Sequence, residues 1–448
     1  MSNKYDPVSG DVVPVFLRYA IPSVIGMVAV TSAGIIDGIF IGNFVGAKAL
    51  AAINISMPLF AVFASVVFML AVGGSVMCGK FMGAGDQDKA SLIFSKTLYA
   101  SVLMAALITL PCLLFQEEAA ALLGANEELR PMVMDYMRII VAAAPLLILG
   151  LTLDYFVRID GRPVLASVGL VALSVINIVL DWLFIVRLDW GIEGAAWATA
   201  LADIAAFFIL VSHWFSTRCN LKLVSFLECH RDGWRAILSA GYNGFSEFAN
   251  EISIGLITLL LNWVMITRLG VAGVAAFTII GYLLYIGLEV CYGISEALQP
   301  TVSKNLGARK PERIARFGLT AVASSFGVGL IVSSIFLFMP DTMISLFLKE
   351  SEGETIAIAK AFLAVFWPAF LFNGMNIALA SYFTALHKPL PSAAIALSRS
   401  LVLPGLGLLL LPIWFGDQGV YLAIPVAEAL TFVGALVLVS RLRLASIV

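Results

Sequence analysis

Charged residues, histidine and cysteine are all scarce in this chain of 448 residues. Asp, Glu, Lys and Arg together make up 12% of the sequence, whereas a soluble protein averages roughly 25%. The three histidines and five cysteines form neither a Cys-x-x-Cys nor a His-Glu-x-x-His pattern, so the sequence gives no indication of a zinc site or a disulfide framework. No small-residue cleavage site follows the polar N-terminus, so we expect no signal peptide.

Apolar residues dominate instead. They make up 61% of the sequence, and the mean hydropathy is +0.99. Twelve apolar runs are long enough to cross a bilayer, which takes about 20 residues. They lie at roughly 13–42, 50–80, 91–115, 131–157, 164–187, 192–215, 236–266, 272–304, 315–339, 355–386, 391–415 and 419–440. We therefore predict an all-α membrane protein with twelve transmembrane helices, numbered here as spans 1 to 12.

The lysines and arginines predict the orientation of these spans. With both termini in the cytoplasm, the great majority face inward, and only Lys48, Arg130, Arg138, Arg187, Arg268, Lys349 and Lys360 face outward. Such an excess on one side follows the positive-inside rule. We expect a multi-pass protein of the cell (inner) membrane, with Arg158 at the start of an inner loop that continues to position 163.

The two halves of the chain repeat one another. The segment Gly46–Ala52 recurs as Gly270–Ala276, and Gly83-Ala84 recurs as Gly307-Ala308; positions 46 and 270, and 83 and 307, are each 224 apart. Six spans per half give both halves the same orientation, related by an axis along the membrane normal. We predict two pseudo-symmetric six-helix lobes, a transporter architecture, with an N-lobe at 1–216, a cytoplasmic connector at 217–235 and a C-lobe at 236–448.

Polar residues inside the first lobe predict a cation or proton site. Asn177 and Asp181 are four residues apart and share one face of span 5, while Asp37 lies in span 1 and Thr199 in span 6. A carboxylate near the bilayer centre costs about 2.5–3.5 kcal/mol, and it is tolerated where it binds a partner. These oxygens suit sodium, and two nearby carboxylates can equally share a proton. Both alternatives stay open.

The second lobe carries a different set of polar residues. Glu247 and Glu251 share a face of span 7, and span 8 has a helical stripe of acids and tyrosines: Tyr282, Tyr285, Glu289, Tyr292 and Glu296. Carboxylates with aromatic rings suit an organic cation. The alternative is a seam between helices in which each glutamate is neutral and hydrogen-bonded. Arg399 in span 11 is interpreted as structural.

The ordered set of motifs resembles the multidrug and toxic compound extrusion (MATE) family over nearly the whole chain. The matching pieces are Pro22 with Asp37-Gly38-Ile-Phe-Ile-Gly42, Gly46-Ala47, Gly83-Ala84-Gly85-Asp86, Gly161-Arg-Pro163, Asn177-Ile-Val-Leu-Asp181, Gly194-Ala-Ala-Trp-Ala-Thr199, Gln299-Pro300 and Asn305-Leu-Gly-Ala308.

The resemblance implies a bacterial-type secondary transporter, not an enzyme, that exports cationic, amphipathic drugs in exchange for Na⁺ or H⁺. It also implies that Asp37, Asn177, Asp181 and Thr199 form the cation site and that Glu251 matches a seventh-span glutamate of some branches. The tenth span departs from those branches, because it has Asn373 and Asn376 and no acid. We expect organic cations and the lipid bilayer as partners, no nucleic acid, no cofactor beyond the coupling ion, and a monomer. Pro22 is predicted to be a hinge.

Three other functions fit the sequence less well. A flippase for lipid-linked precursors belongs to the same superfamily, but it should line its cleft with basic residues to hold a pyrophosphate. The polar residues inside the spans of this chain are mainly acidic, which disfavours that function. An intramembrane aspartyl protease also uses two aspartates, in a Gly-x-Gly-Asp context that Gly34-Ile-Ile-Asp37 and Ile178-Val-Leu-Asp181 both lack. A channel is disfavoured by the two-lobe repeat.

Overall fold

The computed structural model describes residues 5–345, 353–442 and 444, and the regular elements in this part of the chain are helices. Lys349 lies outside the described residues, as does the side chain of Tyr282. Spans 1 to 6 are Val12–Phe40, Ala47–Gly83, Gln87–Leu114, Arg130–Ile159, Pro163–Asp181 and Gly191–Val211. Spans 9 and 12 are Pro311–Phe338 and Asp417–Ser440, and span 11 comprises Pro389–Leu397 and Leu403–Phe415 joined by a π-helical turn, Ser398–Val402. Further π-helical turns extend span 1 over Ile41–Val45 and span 5 over Trp182–Arg187.

Spans 7 and 8 are contiguous, as one helical segment, Arg235–Glu296. Gly270 interrupts it with φ 63° and ψ −159°, a backbone conformation that favours glycine. Span 7 is therefore Arg235–Gly270, and span 8 comprises 271–296 followed by Leu298–Gly307. Gly46, the equivalent residue between spans 1 and 2, also has a positive φ, 110°. The sequence repeat at these two glycines thus corresponds to a repeated break in the helices.

The number of spans agrees with the prediction. Ten described helices are long and apolar enough to cross a membrane, and an eleventh span consists of Gly353–Phe366 and Ala369–Ala385, bent by 57°. Span 8 is the twelfth. Span 10, predicted as one run, is thus bent near Pro368, a residue that cannot donate a backbone hydrogen bond. The fold is the predicted all-α membrane architecture of two six-helix lobes.

The turns between spans repeat at the end of the molecule that carries both described termini. Gly161, Arg309 and His387 each have a positive φ, and each is followed two residues later by a proline at the start of the next span. Proline suits that position because the first helical N–H has no partner within the helix. Burial lowers the pKa of His387 to about 4, so this imidazole is neutral at physiological pH.

The lobes pack closely at this same end. A methyl group added to Gly83 would overlap the carbonyl oxygen of Lys304, and one added to Gly307 would overlap that of Lys80. These two contacts exchange under the 224-residue repeat, because positions 80 and 304 are also 224 apart. A shared apolar cluster of spans 1, 8, 9 and 10 lies nearby, including Phe16 and Phe317. Toward the other end, each lobe has its own core.

Candidate functional site

The structure brings the two N-lobe aspartates together. The carboxyl groups of Asp37 and Asp181 lie within hydrogen-bonding reach of each other, and Asp181 is fully buried. One buried oxygen of Asp37 and both oxygens of Asp181 receive no hydrogen bond from any described residue. Asn177 donates to the Thr199 hydroxyl at 3.4 Å, one turn from Asp181. The arrangement leaves buried oxygens in position to bind a cation or to share a proton.

Two further polar residues of this lobe were missed by the sequence analysis. Tyr136 of span 4 is 3% exposed, and its phenol lies near the carboxyl groups of Asp37, Asp181 and Asp203. Asp203 lies four residues after Thr199, and therefore one turn along the same helix. That spacing is the signal that could have identified Asp203. No comparable spacing points to Tyr136.

A cavity of about 830 Å³ lies between the lobes. All six candidate residues of the C-lobe contribute to its wall: Glu247, Glu251, Tyr285, Glu289, Tyr292 and Glu296. The N-lobe adds Met27, Val30, Thr31, Asn54, Phe68 and Tyr155. Asp37 and Asp181 are not among the described residues that line this cavity, so the structure places the two predicted sites apart.

Three of the cavity glutamates have no charged partner. Glu247, Glu251 and Glu289 are half-buried, and none of them forms an ion pair with a residue in the described ranges. The cavity wall includes four glutamates and one arginine, Arg399. This wall is acidic and partly aromatic, as the sequence pattern predicted.

The charge of Arg399 is already balanced. Its Nε lies 3.4 Å from Oε1 of Glu428 in span 12, and both side chains are buried. Asn373 and Asn376 of span 10 each donate to a Glu428 oxygen at 2.7 Å. The tenth-span asparagines thus hold a carboxylate from another span. Glu428 was missed because a single acid in an apolar run has no neighbour to form a pattern.

The predicted position of Arg158 is wrong. The sequence placed it at the start of an inner loop, but span 4 continues to Ile159 and Arg158 is 3% exposed. Its guanidinium forms ion pairs with Asp154, one turn earlier at 2.8 Å, and with Glu296 of the other lobe. Because polar residues follow at 160–162, the sequence alone did not distinguish Arg158 from a loop residue. Glu296 is consequently the cavity glutamate that does have a partner.

The connector is attached to the N-lobe by polar contacts. Asp160 accepts hydrogen bonds from the backbone N–H and the side chain of Asn220, both at 2.9 Å, and its Oδ2 lies 2.7 Å from Nε2 of His213. Cys219 completes a group of potential metal ligands that the sequence did not indicate. Burial raises the pKa of the Cys219 thiol to about 11, which keeps it protonated. Because the Asp160 oxygens already accept three hydrogen bonds, we interpret this cluster as a structural clamp.

Pro22 lies inside span 1, which is helical from Val12 to Phe40 without an interruption. Pro22 can form no hydrogen bond to the carbonyl of Arg18, four residues earlier. The backbone hydrogen bond to the Arg18 carbonyl is therefore absent, and the hinge hypothesis depends on this absence.

This chain resembles known export and transport proteins in both sequence and fold. Multidrug export protein MepA of Staphylococcus aureus (strain MSSA476) is 26% identical over 96% of this chain and 94% of its own length. A structure of MATE in complex with MaL6 has a TM-score of 0.93 at 22% identity, covering 100% of this chain and 99% of that one. A MOP superfamily transporter from Pyrococcus furiosus has a TM-score of 0.90 at 23% identity, with the same coverage. The two structures support the fold.

The family assignment rests on most of the chain. The family model MatE matches residues 22–183 and 249–407, which include both predicted sites except Thr199 and Glu247. Together with the two-lobe membrane fold, this match identifies the chain as a multi-pass membrane transporter of the multidrug and toxic compound extrusion (MatE) family.

Proposed function

We propose that this transporter is a secondary active antiporter, which exports cationic, amphipathic compounds in exchange for Na⁺ or H⁺. The observation that carries the proposal is the charge of the central cavity. Four glutamates and one arginine line it, and that arginine is paired with Glu428. The excess negative charge attracts organic cations and repels anions.

The size and lining of the cavity fit an amphipathic ligand. A volume of about 830 Å³ lies within the range of small-molecule sites, roughly 300–1,000 Å³. Phe68, Phe277 and Phe366 add apolar surface to the wall. Tyr285 and Tyr292 offer aromatic rings near Glu289 and Glu251, and an ammonium group is stabilised by both kinds of partner. A flippase for pyrophosphate-linked lipids would need the opposite charge.

The coupling ion is assigned to the N-lobe site. Na⁺ prefers oxygen ligands, and Asp37, Asn177, Asp181 and Thr199 offer carboxylate, amide and hydroxyl oxygens close together. A proton shared by the two carboxyl groups would serve the same role. Because this site lies outside the described cavity wall, the ion and the drug need not compete for the same atoms.

The orientation follows from charge. The ends of spans 2, 4, 8 and 10 that carry Lys80, Arg162, Lys310 and Lys388 lie on the side of the termini, so we place that side in the cytoplasm. The closely packed lobes then shut the cytoplasmic end of the cavity. Export from the cytoplasm requires them to separate there. We assign the protein to the cell (inner) membrane, acting as a monomer.

The first prediction is cation export that depends on an ion gradient. Proteoliposomes with the purified protein should transport ethidium when a Na⁺ gradient or a pH gradient is imposed, because one of these two ions binds at the N-lobe site and its gradient drives the exchange. Ethidium fluorescence is measured with each gradient applied separately, and empty liposomes provide the background. Movement no faster than in empty liposomes under both gradients would contradict antiport.

A further inference from the structure

An ion pair between the lobes, formed by Arg158 of span 4 and Glu296 of span 8, lies toward the cytoplasmic end of the cavity. We propose that the Glu296 carboxylate binds two partners in turn: Arg158 while this end is closed, and the cationic group of a substrate once it opens. The inference rests on the proposed function, since it requires a transporter of cations whose lobes separate.

Glu296 belongs to the C-lobe, but its partners belong to the N-lobe. Arg158 Nη1 bonds to Glu296 Oε2, and the Tyr155 hydroxyl lies 3.5 Å from Oε1. None of the described residues of the C-lobe donates a hydrogen bond to this carboxylate. Separation of the lobes therefore leaves Glu296, which is 6% exposed in the closed arrangement, without any of these partners.

Arg158 behaves differently when the lobes separate. Its Nη2 lies 2.8 Å from Oδ2 of Asp154 on the same helix, and its Nη1 donates to the Ser23 hydroxyl at 2.7 Å within the N-lobe. The arginine thus keeps a counterion after opening, whereas the glutamate does not. Opening therefore leaves an unpaired negative charge on Glu296, which lines the cavity that the substrate enters.

Glu296 is also in the right place to receive a substrate. Both Glu296 and Tyr155 line the cavity, and Gly293, one turn earlier on span 8, packs against the backbone of Val24 in span 1. The ion pair therefore lies where the cavity wall meets the contact between the lobes. A cation that enters from the cytoplasm reaches this carboxylate at the mouth of the cavity.

The exchange of partners has a consequence for the direction of transport. In the closed arrangement both oxygens of Glu296 are occupied by N-lobe groups, Oε2 by Arg158 and Oε1 by the Tyr155 hydroxyl, so closing the cytoplasmic end displaces the substrate from Glu296. Glu289 lies seven residues earlier on the same helix, two turns or about 10 Å farther along. A displaced cation meets the three unpaired acids of the cavity wall, Glu247, Glu251 and Glu289, and Glu289 lies farther from the cytoplasm than Glu296.

The experiment measures lobe separation and cation binding on the same purified proteins. Spin labels at Asp88 and Glu312, two exposed and equivalent positions in the first helical turns of spans 3 and 9, report the distance between the lobes. The labels are placed in a variant whose five cysteines are replaced and which still transports ethidium. Ethidium affinity is measured by fluorescence on Glu296→Gln, Arg158→Gln and a control, Glu193→Gln, which removes an exposed ion pair with Arg138.

Glu296→Gln and Arg158→Gln should both shift the label distances to longer values, because each removes the ion pair. Their effects on binding should differ. Glu296→Gln should weaken ethidium binding by at least about tenfold, the scale expected for loss of a buried charge partner. Arg158→Gln should leave the affinity unchanged or increase it, since Glu296 is then free. Glu193→Gln should change neither measurement.

Equal weakening by both variants would overturn the proposal, because Glu296 would then act only through packing. Unchanged distances in both would overturn the closing role of the pair. A measurement that needs no variant at the pair guards against misfolding: saturating ethidium must lengthen the distances in the labelled protein with Arg158 and Glu296 intact. If ethidium is transported but the distances stay fixed, the exchange of partners is wrong and antiport stands; if ethidium is not transported at all, the proposed function fails first.

Discussion

Buried carboxylates in this transporter differ in what surrounds them. Glu428 has an arginine and two asparagines as partners, and Glu296 has an arginine from the other lobe. Asp181 is fully buried with no described hydrogen-bond donor to either oxygen. A buried charge without a partner is costly. Asp181 is therefore the carboxylate for which a mobile cation or proton would contribute most to stability.

At the scale of residues, we predict that Asp37 and Asp181 act as a unit. Asp37→Asn and Asp181→Asn should each abolish ion-driven ethidium transport in proteoliposomes, because either change removes half of the shared carboxyl pair. The double variant should be no worse than either single one, since residues that form one site are not additive. Expression and ethidium binding should persist, because the pair lies outside the described cavity wall.

Asp341→Asn is the matched control for that pair. It changes an aspartate in an exposed ion pair with Lys360 and should leave transport intact. Full ion-driven transport in either single variant of the pair would remove that residue from the site.

The sequence identified candidate site residues within apolar runs and missed two ion pairs between distant positions, Arg158–Glu296 and Arg399–Glu428. Asn177 and Asp181 were found because their spacing of four is visible in one apolar run. Glu247 and Glu251 were found in the same way, and the structure places both on the cavity wall. Arg158 could not be assigned, because its partner Glu296 lies 138 positions away and only folding brings the two together.

At the scale of elements, proline and glycine decide where the spans can bend. Gly46 and Gly270 interrupt equivalent connections in the two halves. Span boundaries were predictable because apolar length and proline position are local signals. The bend of span 10 was not predicted, because its apolar run continues through Trp367 and Pro368. Hydropathy indicates that a segment can cross the membrane, but it carries no information about a change in the direction of the helix axis.

We predict that Pro22 allows span 1 to bend when the ion site fills. Pro22→Ala restores a backbone N–H that can bond to the Arg18 carbonyl, which stiffens the helix. Ion-driven transport should fall, and amide hydrogen exchange around Arg18 should become slower and less sensitive to Na⁺ or pH. Both quantities can be measured on the same purified protein.

The control for this helix is Pro111→Ala, which removes a proline from the last turn of span 3. It should leave both transport and exchange in span 1 unchanged. Normal transport by Pro22→Ala, with the same exchange in span 1 with and without ion, would exclude the hinge.

At the scale of the whole molecule, the two halves share a backbone plan and differ in chemistry. Helix order, turns and the contacts around Gly83 and Gly307 repeat, which is why a repeat of 224 residues predicted two lobes. The polar residues do not repeat: the N-lobe has an aspartate pair, and the C-lobe has an acidic cavity wall with a balanced arginine. Sequence symmetry therefore predicted the architecture, and departures from it marked the candidate sites.

The glycine contacts predict how the end of the cavity beside the chain termini, which we propose faces the cytoplasm, can be opened selectively. Gly83 and Gly307 each pack against a carbonyl of the opposite lobe, so a methyl group fits at neither position while the lobes touch. Overpacking of this kind costs about 1–3 kcal/mol, which corresponds to a shift of about 5- to 150-fold between two states. Separation of the lobes relieves the clash, so Gly83→Ala and Gly307→Ala should favour the state that is open to the cytoplasm.

The measurement is the reactivity of a cysteine placed at Ser303, which is fully buried near Gly79 at this contact, toward a water-soluble maleimide. Labelling should be faster in both glycine variants, and transport should fall because return to the closed arrangement is hindered. Gly327→Ala is the control, since a methyl group there meets no neighbouring atom and alanine favours a helix. Unchanged labelling in Gly83→Ala and Gly307→Ala would mean that these contacts persist while the cavity opens, so the lobes would have to separate by bending within a lobe and not at this interface.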